Sequence, residues 1–376
     1  MEKVKLIDIC NPKQWKTIST SNFKKRGYAV YGANGKIGFY DRYTHEFPTV
    51  LITCRGATCG SINISEPKSY VNGNAMALDN LVKDYDLKFL FYALKSRGLN
   101  DTISGSAQPQ ITRQGLANVN VPKPDLTTQQ KIAKILDKAD ELRQYNKQLI
   151  EKYDALTQSL FLDMFGDPVR NEKGWVNVEL MQLCKKITDG THKTPTYLEN
   201  GVIFLSAKNI KNFKLNCLNP KYISEEEYSE LNKRCNVEVG DILITKSGSL
   251  GMAALVEFAF KFSIFESLAL IKYMRETVNG IFLLYFLNTK STQQQYNDIT
   301  KGVGVKHLHL TDLRKLKVIL PPIELQNQFA ERVQIIENQK QQAQESLEKS
   351  ELLFQSLLQK AFNGGGKLKY SINIIP

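Results

Sequence analysis

The sequence predicts an α+β protein of tandem design. Two globular mixed α/β blocks are separated by two long helices that form an antiparallel coiled-coil pair, with an internal pseudo-twofold duplication. Three observations predict it. Two distant segments align without a gap as Pro-bounded helices, the excess positive charge is confined to two blocks, and those blocks repeat a strand, glycine-turn, strand and short-helix order.

The first block, residues 1–123, carries 16 Lys and Arg against 9 Asp and Glu over 1–122, an excess of +7. Within it "YGANG" (Tyr31–Gly35) contains Asn34-Gly35, a hairpin-turn signal. "VLITCRGATCGSINI" (Val50–Ile64) reads as an apolar strand, a glycine-rich turn and a second strand, and "FLFYALKS" (Phe89–Ser96) as a short amphipathic helix. The aromatics Phe23, Tyr28, Tyr31, Phe39, Tyr40 and Tyr43 look like core and rim.

Residues 124–165 form the first long helix. "VPKPDLTTQQKIAKIL" sets a Pro-x-Pro stop before it, and Thr127 with Gln130 gives a capping-box pattern. An apolar stripe follows at Ile132, Ile135, Ala139, Leu142, Leu149, Tyr153 and Leu156, with Asn146 its polar exception.

The second block, 166–320, has 21 Lys and Arg against 16 Asp and Glu, an excess of +5. "ILITKSGSLGMAALV" (Ile242–Val256) echoes Val50–Ile64 with a one-residue slip, and "FLLYFLNT" (Phe282–Thr289) echoes Phe89–Ser96. "SEEEYSE" (Ser224–Glu230) reads as a helix start with its acids near the positive end of the dipole. His307 and His309 alternate like a strand edge.

The second long helix, 321–363, repeats the first at one constant offset. Pro124 falls on Pro321, Gln129 on Gln326, Ala133 on Ala330, Glu151 on Glu348, Lys152 on Lys349 and Phe165 on Phe362. Its stripe is Phe329, Val333, Ile336, Ala343, Leu347, Phe354 and Leu357. Both helical segments are charge-neutral and each has one narrow apolar seam, so pairing with each other is expected, with Asn146 fixing register or facing solvent. The alternative is that each helix lies on an unrelated core. Residues 364–376 are a C-terminal tail with no assigned role.

Net charge is +12 over 376 residues, which points to a polyanionic partner. The longest strongly apolar run, Ile281–Leu287, is too short to span a bilayer, and the first residues lack a signal-peptide core, so the expected location is cytoplasmic, with no membrane contact. Six scattered cysteines without a Cys-x-x-Cys pair, and four histidines without companions at ligand spacing, give no metal site. A helix of about 36 residues is about 54 Å long, so two basic heads on such a rod would sit about a DNA turn or more apart.

The order "YGANGKIGFYD", "SGSAQPQIT" running into "VPKPDLTTQQKIA", then "SLFLDMFGDP" leading to "GWVNVELMQLCKKITDGTH", and "GDILITKSGSLG", resembles the DNA-specificity subunits of type I restriction–modification systems over essentially the whole length. The resemblance implies that each block is a target recognition domain reading one half of a split double-stranded DNA sequence. It implies that the helical pair sets the spacer and docks methyltransferase subunits, two of them, and that a motor-nuclease (restriction) subunit joins. S-adenosylmethionine and ATP with magnesium then belong to those partners, and no cofactor to this chain. The residues agree that the chain is not an enzyme: it has no Asn/Asp-Pro-Pro-Tyr/Phe motif, and Lys36 is followed by Ile37 where a P-loop needs Ser or Thr.

Base reading needs exposed donors on rigid loops. The candidates in the first block are Asn34, Lys36, Arg42, Arg55, Gln108, Gln110 and Arg113. Those in the second are Thr191, His192, Lys193, Lys208, Asn209, Lys246, Ser247, Lys301, Lys306 and His307. A rival reading makes the chain a protein-binding coiled-coil adaptor whose basic charge is incidental.

Overall fold

The computed structural model describes residues 2–33, 35–105, 108–300 and 307–362. The chain divides into two compact units, one formed by Met1–Gln148 with Gln344–Pro376, the other by Leu149–Ala343. Each unit is thus one basic block with half of each long helix.

In the first unit the elements are β1 (Lys3–Lys5), α1 (Leu6–Ile9), β2 (Asn11–Gln14), β3 (Tyr28–Gly32), β4 (Gly35–Tyr40), β5 (Val50–Thr53), β6 (Ile62–Ile64), β7 (Tyr70–Val71), β8 (Ala75–Asp79), α2 (Leu87–Arg97) and β9 (Asn120–Pro122). A long helix α3 (Leu126–Phe165) follows. The strands form sheets in the orders β2-β8-β5-β6, β4-β3-β7 and β1-β9.

The second unit holds β10 (Val176–Glu179), β11 (Cys184–Asp189), β12 (Val202–Leu205), β13 (Ile210–Lys211), β14 (Lys214–Leu215), β15 (Lys221–Ile223), α4 (Glu225–Arg234), β16 (Ile242–Thr245), β17 (Ala253–Leu255), β18 (Phe262–Ile264), β19 (Leu268–Tyr273), α5 (Gly280–Asn288), α6 (Lys290–Ile299), α7 (Leu310–Arg314), β20 (Lys317–Leu320) and the start of α8 (Ile323–Phe362). Its sheets are β11-β19-β16-β17, β15-β12-β18 and β10-β20, the same plan as the first unit, plus the β13-β14 hairpin. Even the parallel pair recurs, β3 with β7 and β12 with β18. The duplication is therefore one of topology as well as sequence. The expected strand–turn–strand echoes are the antiparallel pairs β5-β6 and β16-β17. His309 is not on a strand edge; it immediately precedes α7.

Helix α3 is capped by Asp125, whose carboxylate accepts from Thr128 N at 2.9 Å and Thr128 Oγ1 at 2.6 Å, and not by Thr127. The repeated glutamines explain why the motif is written twice. Buried Gln129 donates to Pro124 O at 2.9 Å and accepts from Asp86 N, at the start of α2, at 2.8 Å. Buried Gln326 does the same in the other unit, donating to Pro321 O at 2.8 Å and accepting from Asn279 N, at the start of α5, at 2.9 Å. Each glutamine amide pins a long helix to the short helix of its own unit and satisfies backbone groups that burial would otherwise leave unpaired.

The seam differs from the expected stripe. In the first unit Ile132, Leu136, Ala139, Arg143 and Asn146 are buried, and they face Ser350, Phe354, Leu357 and Ala361. Leu142 is 47% exposed and Ile135 only partly buried. In the second unit Thr157, Phe161 and Phe165 are buried with Phe329, Val333, Ile336 and Ala343, whereas Leu156 is 49% exposed. Leu142 and Leu156 thus lie beside the seam rather than in it, while Ile135 and Leu149 are half-buried at its margin. Polar residues at Arg143, Asn146 and Thr157 hide the true 3/4 spacing from a purely apolar search.

Those polar residues make matched layers. Arg143 donates to Glu351 at 2.8 Å, pairs with Asp140 and lies 4.3 Å over the Phe354 ring. In the second unit Lys340 pairs with Asp154, and with Glu337 at 3.7 Å. The constant offset of the repeat carries Asp140 to Glu337, Arg143 to Lys340 and Asp154 to Glu351, so the duplicated sequence builds one ion-paired layer twice.

Candidate nucleic-acid interface

In the first unit three loops converge beyond the ends of β3 and β5. The hydroxyls of Thr53 and Thr58 donate to Ala33 O at 2.7 and 3.0 Å, fastening the β3-β4 turn to the loop after β5. That loop is in turn laced to the segment ending at Ile111. Ile111 N donates to Cys54 O at 3.0 Å and Gly56 N to Pro109 O at 3.3 Å, so Arg55 lies opposite Gln110. Gln110 also exchanges both backbone bonds with Ser104, at 2.8 and 2.9 Å. Side chains alternate in and out along such segments. Cys54, Ile103 and Ile111 enter or pack against the core, and Arg55, Ser104 and Gln110 point outward and are exposed. Next to Ser104, Gly105 has φ 86°, and an added Cβ there would stand 2.6 Å from Gln108 O.

The other first-block candidates are exposed but less closely bound to this row. Lys36 pairs with Glu66 at 3.1 Å and lies 5.0 Å from the Phe39 ring centre. Arg42, 81% exposed, approaches Asp41 at 3.9 Å. Gln108 and Arg113 flank the Gln110 segment and are exposed. Asn34 lies outside the described residues, as do Lys301 and Lys306.

The second unit repeats the frame around the β18-β19 turn. Thr191 N donates to Ile264 O at 3.1 Å, Glu266 N to Thr191 O at 3.0 Å and Lys246 N to Ser267 O at 2.8 Å. Ala207 N donates to Ser267 Oγ at 3.0 Å and Leu308 N to Lys246 O at 2.9 Å. The loops carrying Thr191, His192, Lys193, Lys208, Ser247 and His307 are thereby gathered on one turn, with His192, Lys193, Lys208 and His307 exposed.

Two of the second-unit candidates, Lys246 and Asn209, are tied into the scaffold rather than displayed. Lys246 is buried, its ammonium 2.5 Å from the Asp189 carboxylate. Although burial works to raise the pKa of Asp189, the Lys246 ammonium, His192 and Arg234 hold its carboxyl below the usual carboxylate range. Asn209 closes a local cap, accepting from Ser206 N at 2.9 Å and donating to Asn216 O at 3.0 Å. Both are scaffold: they fix the loops on which exposed neighbours ride. Sequence reading also missed Glu266, whose carboxylate lies 2.7 Å from His192 Nδ1 and flanks that ring opposite Asp189; nothing in the residue pattern marked it.

The same slot beneath the loops is filled differently in the first unit. There Gln14 donates to Cys54 Sγ at 3.0 Å and to Gly73 O at 3.2 Å, and burial pushes the Cys54 thiol up. Two frames of one topology thus present different side chains.

The chain matches the family described as "Type I restriction modification DNA specificity domain" over residues 1–152 and again over 172–349. It belongs to that family. The type I restriction enzyme MjaVIII specificity subunit of Methanocaldococcus jannaschii is 23% identical over 331 residues, spanning 82% of this chain and 77% of its own. The MjaIX specificity subunit of the same organism is 28% identical over 325 residues, spanning 78% and 73%. The EcoBI specificity subunit of Escherichia coli is 23% identical over 349 residues, spanning 84% and 73%. A crystal structure of the type I S subunit from M. genitalium superposes with a TM-score of 0.63 at 19% identity and covers 96% of each chain, a likeness of fold. As in the family match, this specificity subunit carries its two domains in tandem. No described helix is long and apolar enough to cross a membrane. Among the described residues no group of three or more His, Cys, Asp or Glu is placed to hold a metal ion.

Proposed function

We propose that this chain is the sequence-reading subunit of a type I complex, each unit reading one half of a bipartite double-stranded DNA target. The observation that carries the reading is the doubled frame: the same strand order in both units, with one shared loop bond (Ile111 N to Cys54 O, Leu308 N to Lys246 O), displaying unequal exposed donors, as recognition of two different half-sites requires. The excess charge in both blocks supplies the salt-dependent attraction to phosphates. The 40-residue helices α3 and α8 act as the ruler that sets the unspecific spacer. Their exposed leucines, Leu142 and Leu156, offer apolar contacts to methyltransferase subunits, of which two dock. S-adenosylmethionine, ATP and magnesium sit on those partners and on a restriction subunit; this chain performs no catalysis and works in the cytoplasm.

The test is a methylation map. The chain is co-expressed with the methyltransferase subunit of its system in a host lacking such methylation, and modified adenines are read by single-molecule sequencing. A two-part motif with a fixed gap, present only with this chain, is the expected outcome. A stable, active methyltransferase complex that yields no new motif would overturn the reading in favour of a protein-binding adaptor. Adding one heptad to each long helix at matched seam positions lengthens the rod by about 10 Å, about three base-pair steps, and is expected to widen the gap while leaving both halves unchanged.

A further inference from the structure

We propose that Arg55 and Gln110 are the paired base readers of the first unit, Arg55 for a guanine and Gln110 for an adenine on adjacent base steps. The inference rests on the DNA-reading function proposed above and goes further, to residue and base. Its basis is the miniature ladder Ser104–Gln110–Arg55. The bonds Ile111 N to Cys54 O and Gly56 N to Pro109 O flank the Arg55/Gln110 pair rather than join it. In an antiparallel ladder that is the non-hydrogen-bonded kind of pair, whose Cα atoms stand about 4.5 Å apart with side chains close together on one face.

Three features make this pair a reader and not a piece of scaffold. Its backbone is fixed on both sides while its side chains are exposed, so the donors are aimed without being spent. Neither the Arg55 guanidinium nor the Gln110 amide has a hydrogen-bond or ion-pair partner among the described residues, unlike Lys36 with Glu66 or Arg97 with Asp101. A Cα separation of about 4.5 Å lets two flexible side chains reach neighbouring bases about 3.4 Å apart, and the bidentate partners of Arg and Gln in the major groove are guanine O6/N7 and adenine N6/N7. Across its three segments the row is about 10 Å wide, which a major groove of about 12 Å admits.

The second unit supplies an internal comparison. Leu308 N donates to Lys246 O at 2.9 Å, as Ile111 N does to Cys54 O, which brings Ser247 and His307 to the positions of Arg55 and Gln110. Leu308 and Lys246 are buried, as Ile111 and Cys54 are, and His307 is exposed. The inward residues of the rung anchor both units; the outward residues differ in hydrogen-bonding chemistry. A frame kept constant while its exposed rung changes is what two different half-sites call for.

The experiment repeats the methylation map with R55A, R55K and Q110A, each co-expressed with the methyltransferase subunit. Wild type is expected to discriminate about ten- to a hundred-fold at each of two neighbouring positions of one half-site. R55A and R55K both relax the guanine position and Q110A the adenine position, with the other half-site unchanged in the same map as proof that the chain is folded. H307A relaxes the other half-site instead. R55K retaining full discrimination while R55A lowers methylation evenly over all sequences would make Arg55 a phosphate contact and overturn the proposal. So would a motif untouched by R55A and Q110A. A wild-type map without any two-part motif sinks the recognition function itself, a result distinct from either.

Discussion

Lys246 is a candidate DNA contact by its sequence, and replacing it with methionine separates that role from the one its burial implies. Its side chain is 11% exposed and that of Asp189 only 6%, with 2.5 Å between ammonium and carboxylate. Removing the ammonium leaves a carboxylate stranded under the loops, a change that costs about 3–5 kcal/mol at buried pairs. Arg234 at 3.1 Å and His192 at 3.2 Å remain beside Asp189 and partly compensate, which places the loss near the lower end, about 3 kcal/mol. Methionine keeps the aliphatic stem, so little of the loss comes from packing. For a unit of this size that is a fall in melting temperature of about 6–12 °C. D189N/K246M is expected to lose less than K246M alone, because no uncompensated charge is left buried. The assay pairs thermal unfolding with DNA binding by the methyltransferase-bound complex over a range of salt. A phosphate contact would lower the log–log salt slope by about 0.9 and leave melting alone. An unchanged melting temperature with a reduced slope refutes the buried-pair account.

Three other predictions follow from the same packing. Because the folded pKa of Asp189 is lowered, its ionised form stabilises the fold at neutral pH, and that contribution is lost as pH falls through the lowered value; the melting difference between wild type and D189N is expected at pH 7 and to shrink below about pH 4. Phe329 is fully buried, with Phe165 and Phe161 ring centres 5.3 and 5.6 Å away, so F329A is expected to cost about 3–5 kcal/mol, read by denaturant titration of the second unit. Leu142 and Leu156 lie beside the seam, so L142S/L156S is expected to shift stability by no more than about 0.5 kcal/mol per site while abolishing co-purification of the methyltransferase subunit. A loss of several kcal/mol would return both leucines to the seam.

What the sequence made legible was local or repeated. The constant offset from Pro124/Pro321 to Phe165/Phe362 located two helices, and the alternation around Val50–Ile64 and Ile242–Val256 located two strand pairs. The seam was misplaced by one residue at Ile135, Leu142 and Leu156, since hydrophobicity is a proxy for burial and Arg143, Asn146 and Thr157 are buried polar residues. The match of Gln129 with Gln326 was visible, but its purpose was not: the Asp86 and Asn279 amides that they serve are more than forty residues away in sequence. Lys246 failed as a surface cation because Asp189, its partner, is brought alongside only by the β11-β19-β16 order of strands. Long-range strand order is the information that a single sequence withholds.

The division of the chain also dictates an order of assembly during synthesis. The second unit is one continuous stretch, Leu149–Ala343, whereas the first needs both the beginning of the chain and Gln344 onward. Phe354, Leu357, Leu358 and Ala361 are members of the first unit's core, yet they are made only after the whole of the second unit's stretch. The first unit therefore cannot close its core until the segment from Gln344 onward has been made, and the continuous unit can finish before it. Until then Leu136 and Ala139 have no helix to face, which makes the nascent N-terminal block the part most exposed to misassociation and to chaperone capture. A stop before residue 344 would leave the continuous unit with its whole chain and the interrupted one without its closing helix.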